Sequence, residues 1–210
     1  MLDHVLNRLF PGRNPIERAR REFFAIELTA ADIAIDCGAN VGDVTEHLCR
    51  SGATVYAFEP NPYAFASLQR RFSQRPNVHC LQQGVLDRNE TRRLYFHEHS
   101  DQDEVHWSTG SSLLDYKGNV RKDKYVDTPV IDLSEFIKSL GARVTLLKID
   151  VEGVEGAILR KLLTTGVIHS IAHVFVETHE RKVPELQADT DELRLMLKKM
   201  KLTHVNLDWT

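Results

Sequence analysis

Short apolar runs and longer amphipathic ones take turns along this chain. Asp32–Asp36 (DIAID), Thr54–Glu59 (TVYAFE), Val78–Leu81, Val144–Asp150 and Ile171–Glu177 are brief, apolar and rich in β-branched residues, as buried strands are. Between them the spacing becomes helical. A helix is expected over 42–50, and Pro62 opens another that runs to about Gln74. Asp132–Leu140 reads as a short helix closed by Gly141, and 154–163 as a further one. Asp189-x-x-Glu192 resembles a capping box at the start of a helix ending near Met200, and Thr203–Trp209 alternates as a half-buried strand does. Strands alternating with helices imply an α/β fold: a doubly wound, mostly parallel sheet with helices on both faces. Such sheets bind ligands outside the carboxyl ends of their strands.

Two stretches break the rhythm. Between about 86 and 130 the pattern turns irregular and polar: "RRLYFHEH" and "KYVDTPVI" read as strands flanking a long loop that holds "SDQDEVHWSTGSS". Loops of that length in a domain usually carry function. At the start, Leu2, Val5, Leu6, Leu9 and Phe10 fall on one helical face stopped by Pro11-Gly12. A weakly basic polar face favours docking of this segment on the domain or on a second subunit over a membrane surface. The expected division is therefore an N-terminal helical segment, 1–30, and one domain, 31–210.

Composition narrows the class. A chain of 210 residues, 42% hydrophobic and 27% charged, suits one globular domain. Its net charge of −3, with both signs interspersed, does not suggest a nucleic-acid binder. Cys37, Cys49 and Cys80 are far apart and lack CxxC spacing, so they read as reduced thiols of a cytoplasmic protein. No run approaches the roughly 18 apolar residues of a membrane span.

The turn after the first strand, Asp36-Cys37-Gly38-Ala39-Asn40-Val41-Gly42, decides between cofactors. Glycines permit a tight turn and a close ligand approach. A dinucleotide site asks for G-x-G-x-x-G with a pyrophosphate on the helix N-terminus. Here the spacing is Gly38-x-x-x-Gly42, position 40 is Asn, and Asp43 would repel a pyrophosphate. The alternative is D-x-G-x-x-x-G, the form seen in sites for S-adenosylmethionine (SAM), a ligand with an ammonium, a carboxylate and a sulfonium and no phosphate. Glu59 ends the second strand, where a carboxylate can accept both ribose hydroxyl protons.

With these residues in view the chain resembles the FkbM-type SAM-dependent methyltransferases, within the class I Rossmann-like fold. The resemblance rests on "IDCGANVG" (35–42), "FEPNP" (58–62), "TGSSL" (109–113), "LKIDVEGVEGAIL" (147–159) and "VETH" (176–179), in the family's order. It implies SAM-dependent O-methyl transfer to a hydroxyl of a sugar-containing or natural-product small molecule. Carried over by position, Asp36, Gly38, Ala39, Asn40 and Gly42 would hold the methionine end of SAM. Glu59 would take the ribose, Asn61 would lie beside the adenosine, and Gln83-Gly84 along the adenine. Class I enzymes usually finish with an antiparallel strand pair. After "THVNLDWT" the last strand is missing or drastically shortened, which implies either a trimmed chain or a homodimer in which a neighbour covers that edge.

The cluster "KIDVEG" carries the candidate chemistry. If the strand persists, Lys148, Asp150 and Glu152 share one face. A buried lysine must find an anion or lose its proton, so Lys148 is either a partner of nearby acids or a base for the acceptor hydroxyl. Asp150 is expected to face the SAM ammonium, with Glu152 towards the acceptor. Glu177 and His179 end the next strand on a shared face, with His179 as base or orienting group and Glu177 at the substrate. Ser111 and Ser112 are substrate-site candidates through the resemblance. No metal site is expected, although Asp150, Glu152, Glu177 and His179 offer oxygen-rich ligands as an alternative. Two other functions remain in play: an NAD-type oxidoreductase, and a SAM-binding scaffold without catalysis.

Overall fold

The computed structural model describes residues 14–209. The expected helix over Leu2–Phe10 lies outside the described residues.

Six parallel strands form the central sheet: β1 (Ile33–Cys37), β2 (Thr54–Phe58), β3 (Val78–Leu81), β7 (Val144–Ile149), β8 (Ile171–Val176) and β9 (Val205–Asn206), in the order β3-β2-β1-β7-β8-β9. Three further strands form a smaller sheet, β4-β6-β5: β4 (Gly84–Leu86), β5 (Glu90–His97) and β6 (Val120–Asp132). The fold is the expected doubly wound α/β sheet. Strand order reverses between β1 and β7, and the ends of these two strands face the site.

Successive residues of the central strands enter opposite cores, because side chains alternate along a strand. Ile35, Leu147 and Val174 meet Leu133 and Ile137 of α4 (Leu133–Ser139) and Ile158, Leu159 and Leu162 of α5 (Glu155–Thr164). Their neighbours Ala34, Leu146 and Phe175 meet Phe23 of α1 (Pro15–Phe24), Leu48 of α2 (Asp43–Cys49), and Leu68 and Phe72 of α3 (Pro62–Phe72). Strands buried on both sides read as continuous apolar runs, which is why their positions are legible.

Several expectations change. Helix α1 falls within the helical segment expected over 1–30, where Asn14 caps it and Pro15 opens it. Its Phe23 stacks against Trp209 at 4.1 Å and meets Phe175 edge-on at 5.2 Å. That aromatic contact takes the place of strand pairing for most of Thr203–Trp209. Only Val205 and Asn206 pair, in parallel, with Val174 and Phe175, so no antiparallel strand joins the central sheet among the described residues. The capping box at Asp189 does not form. The last helix, α6 (Gln187–Lys199), starts two residues earlier, and Asp189 and Glu192 both pair with Arg160 of α5. Gly156 makes room for this contact: a Cβ there would lie 2.1 Å from the Asp189 carboxylate. Gly84 opens a separate strand on the smaller sheet, where a Cβ would press on Val130 at 2.9 Å.

Candidate functional site

The carboxyl ends of β1, β2 and β7 open into a partly enclosed cleft, the kind of place where parallel sheets bind ligands. Phe58, Pro60, Val85, Leu94 and Leu113 give it an apolar slot; Asn40, Glu59, Gln83, Ser108, Thr109, Ser111, Asp150 and Glu152 give it a polar rim. None of its lining residues is a lysine or an arginine, and three are carboxylates.

One wall is the turn after β1. Gly38 (φ +78°) lets the chain pass the loop after β7, since a Cβ would fall 1.8 Å from the carbonyl oxygen of Asp150. The turn amides have acceptors within the protein. Gly38 and Ala39 donate to the Phe58 carbonyl, Asn40 to Glu59 at 2.8 Å, Val41 to the Asn40 side chain, and Gly42 to the Ala39 carbonyl. Gly42 itself faces inward, where a Cβ would collide with Phe72 and Leu68.

Beneath the turn lies a buried ion pair. Asp36 and Lys148 are register partners on adjacent strands, so their side chains emerge side by side. The Lys148 ammonium lies 3.2 Å from Asp36 and 3.4 Å from Asp150 and donates to the Gly38 carbonyl at 2.8 Å. The Thr45 hydroxyl supplies the second bond to Asp36. Burial works against the Lys148 charge, but Asp36 and Asp150 outweigh it and hold the amine protonated, with its proton affinity raised above the ordinary lysine value. Asp36 is fully buried and does not reach the cleft. Asp36, expected among the residues holding the methionine end of a cofactor, therefore faces an internal cation.

Glu59 does line the cleft, fixed by two backbone donors: Asn40 N and Asn61 N, each at 2.8 Å from a different carboxylate oxygen. Burial pushes its pKa up to about 7, against the pull of those two bonds. Asn61 caps α3 and is buried behind the rim, where its amide donates to Ser111 at 3.0 Å; Asn40 donates likewise to Ser108 at 2.8 Å. These two bonds tie a strap, the short 3-10 turn His106–Gly110 with the residues that follow it, across the cleft. Ser112 lies under the strap, its hydroxyl donating to the Glu152 carbonyl at 2.7 Å.

The third group gathers at the ends of β7 and β8. The strand stops at Ile149, and Glu152 adopts φ +62°, so the expected alternation of Lys148, Asp150 and Glu152 on one face does not continue. Glu152 lines the cleft and also pairs with Lys117 and, at 3.2 Å, with His179. Burial would raise its pKa, but His179 and Lys117 outweigh that and draw it down to about 2. His179 is wholly enclosed, its Nδ1 2.9 Å from Glu155. Its contacts lie off the ring N–H axes, so they act as charge pairs more than as aligned hydrogen bonds. Burial opposes a charged imidazole, yet Glu152 and Glu155 prevail and lift its pKa to about 10. Asp150, partly open to the cleft, is raised to about 6 by burial, partly offset by Lys148, with Glu177 and Glu152 adding to the rise.

Asp150, Glu155 and His179 bring ligand-type atoms within 4.8 Å of one another. Each has a partner of its own: Lys148 for Asp150, the Val151 and Gly153 amides for Glu155, and Glu152 and Glu155 for His179. A divalent ion there would have to displace these.

Of the residues singled out in the sequence, Gly38, Asn40, Glu59, Gln83, Gly84, Ser111, Asp150 and Glu152 line the cleft. Asp36, Ala39, Gly42, Asn61, Ser112 and Lys148 support it from behind, and Glu177 and His179 sit beyond its wall. Glu177 pairs with Lys182 at 3.1 Å. Sequence reasoning missed Ser108, Val85, Leu94 and above all Lys117, a residue only 3% exposed. Its sequence neighbourhood, Asp115–Gly118, reads as a plain polar turn and carries no signal of burial.

A family model described as the methyltransferase FkbM domain matches residues 36–201. The chain is 30% identical over 157 residues to the 31-O-demethyl-FK506 methyltransferase FkbM of Streptomyces tacrolimicus, a match covering 64% of this chain and 60% of that protein. A shorter likeness, 42% over 60 residues, is to ribosomal RNA small subunit methyltransferase A of Thermotoga maritima and covers 29% of this chain and 22% of the relative. The chain thus spans less than two thirds of the length of either relative.

Proposed function

This chain belongs to the methyltransferase FkbM family, and we propose that it moves the methyl group of SAM to an alcohol oxygen of a small molecule, a sugar-containing or natural-product acceptor. The observation that carries the cofactor half is the electrostatic character of the cleft. Three carboxylates, no lining cation, and turn amides bonded within the protein suit a ligand carrying an ammonium and a sulfonium. The same features oppose a pyrophosphate, and with it the NAD-type alternative. The apolar slot from Phe58 to Leu113 suits a nucleoside base, and the Glu59 carboxylate, beside it, suits ribose hydroxyls. Asn40, Gln83 and Thr109 are neutral donors for a ligand carboxylate.

When bound, SAM supplies an electrophilic methyl; the remaining work falls to this chain. Holding the acceptor oxygen in line with that methyl accounts for most of the rate. Asp150, with its pKa near 6 and its place at the cleft wall, is the group matched to receive the hydroxyl proton at neutral pH. Glu152 stays ionised and orients the acceptor hydroxyl. Lys148 and His179 are held as cations, so neither has a lone pair to offer. On this reading they are positioning residues, Lys148 for Asp36 and Asp150, His179 for Glu152. Glu177 flanks the acceptor entrance. The oxygen acceptor draws support from the Streptomyces relative, whose name specifies an O-demethyl substrate. Residues 31–210 would form the catalytic domain, with 1–30 as an appended segment.

Incubation with methyl-labelled SAM and a panel of hydroxylated acceptors tests the proposal. Label recovered in a methyl ether, and lost in Asp150→Asn, is the expected result. Tight SAM binding with no transfer to any hydroxyl, or label found only on nitrogen, would contradict it.

A further inference from the structure

Lys117 sits where no cation is expected. Lysines are almost never fully buried unless paired, and this one is 3% exposed, in the segment between the strap and β6. Its ammonium makes two contacts. It donates to the Gly110 carbonyl at 3.2 Å, at the end of the strap's 3-10 turn, and to the Glu152 carboxylate, in the loop after β7. The first partner belongs to the strap and the second to the loop after β7, so the ammonium links the two segments.

The other ties of the strap are uncharged: Trp107 stacks on His97 at 4.5 Å, and Tyr95 and Ser112 exchange two backbone hydrogen bonds. Asn40–Ser108, Asn61–Ser111 and the Ser112 bond to the Glu152 carbonyl join neutral groups. A charge-assisted bond is roughly twice as strong as these. Glu152 holds a left-handed backbone (φ +62°), a conformation that persists in a non-glycine residue only where its surroundings over-determine it. Those surroundings are Lys117, His179 and Ser112. The strap lines the cleft through Ser108, Thr109 and Ser111, so its position helps decide how firmly a ligand is held there.

We propose that Lys117 is the pin that fastens the strap to Glu152, a positioning residue that sets how slowly the cleft releases its cofactor. This rests on the reading of the cleft as a SAM site. Without the pin, the charged link from the Gly110 carbonyl to Glu152 is lost, and with it one of the contacts that hold the left-handed Glu152 backbone, although every residue that lines the cleft is still present.

The test follows release of S-adenosylhomocysteine by stopped-flow fluorescence from the wild type, Lys117→Met, Lys117→Arg, Glu152→Gln and the Lys117→Met/Glu152→Gln double variant. Lys117→Met should speed release about tenfold or more, the effect of losing one charge-assisted hydrogen bond, with association changed much less. Lys117→Arg, which keeps the cation, should restore slow release. In the Glu152→Gln background, loss of Lys117 should add less than about twofold, because the two act as one unit. The double variant removes both charges of the pair and so also covers the case in which Lys117→Met alone folds poorly. Release from Lys117→Met at the wild-type rate, or the same speed-up in both backgrounds, would overturn the proposal even if the melting temperature fell. A wild-type protein that binds no S-adenosylhomocysteine would remove the cofactor reading and this inference with it, an outcome distinct from unaltered release.

Discussion

Lys148 shows how a single residue's role is decided by its strand register. In sequence it is a lysine between apolar neighbours, open to service as a base or as an ion-pair partner. Pairing of β1 with β7 places it directly beside Asp36, and the two neutralise each other away from solvent. Breaking a buried pair from one side leaves an uncompensated charge, so Lys148→Met should lower unfolding free energy by about 3–5 kcal/mol in chemical denaturation. A loss below about 1 kcal/mol would mean that the pair is not what holds these strand ends. Glu59 behaves differently, because its carboxylate must be ionised to accept two ribose protons, yet its pKa lies near 7. From Glu59 alone, SAM affinity should therefore weaken roughly 25-fold as pH falls from 7.5 to 5.5. An affinity flat across that range would remove Glu59 from the ribose position. The sequence made Glu59 legible through its place at a strand end. It could not show that Asp36, equally well placed, would face inward, because that depends on which strand lies alongside.

At the scale of elements, the parallel strands and the helices between them were legible because burial on both faces leaves an uninterrupted apolar run. The strap, the start of α6 and the place where α1 docks were not. Each is set by tertiary contacts: Asn40 with Ser108, Arg160 with Asp189, and Phe23 with a tryptophan more than 180 residues away. Long-range pairing leaves no local period in the sequence. The turn after β1 lies between these cases. Its glycines were legible as a tight turn, but Gly38 is required mainly by the loop after β7, which passes within a Cβ's reach. Gly38→Ala should accordingly displace both loops, abolish detectable SAM binding in calorimetry, and lower the melting temperature by several degrees, corresponding to at least about 1 kcal/mol. A variant that binds SAM normally would show that the two loops can separate without cost to the cleft.

For the whole molecule, the site's carboxylates and cations form one nearly balanced network around the buried His179: Asp150, Glu152, Glu155 and Glu177 against Lys117, Lys148, the exposed Lys182 and the imidazolium itself. Its effect on stability has a definite sign. His179 is raised from 6.5 to about 10 on folding, so the stability it contributes is full below pH 6.5 and is lost as pH climbs towards 10. Unfolding free energy should fall across that window in the wild type and fall less steeply in His179→Gln, measured by urea denaturation at matched ionic strength. A slope identical in the two proteins would mean that the histidine is neutral. The network joins residues from Lys117 to Lys182 across the mouth of the sheet, and no segment of the sequence contains enough of it to make the arrangement legible.

The central claim, that the cleft at the strand ends is a SAM site anchored on Glu59, is tested most directly by calorimetric titration with SAM and with NAD, on the wild type and Glu59→Ala. The account predicts SAM binding that weakens at least about tenfold in the variant, the cost of losing hydrogen bonds to a charged acceptor, and no heat from NAD. A folded wild-type protein that ignores SAM, or one that binds NAD in its place, would contradict it.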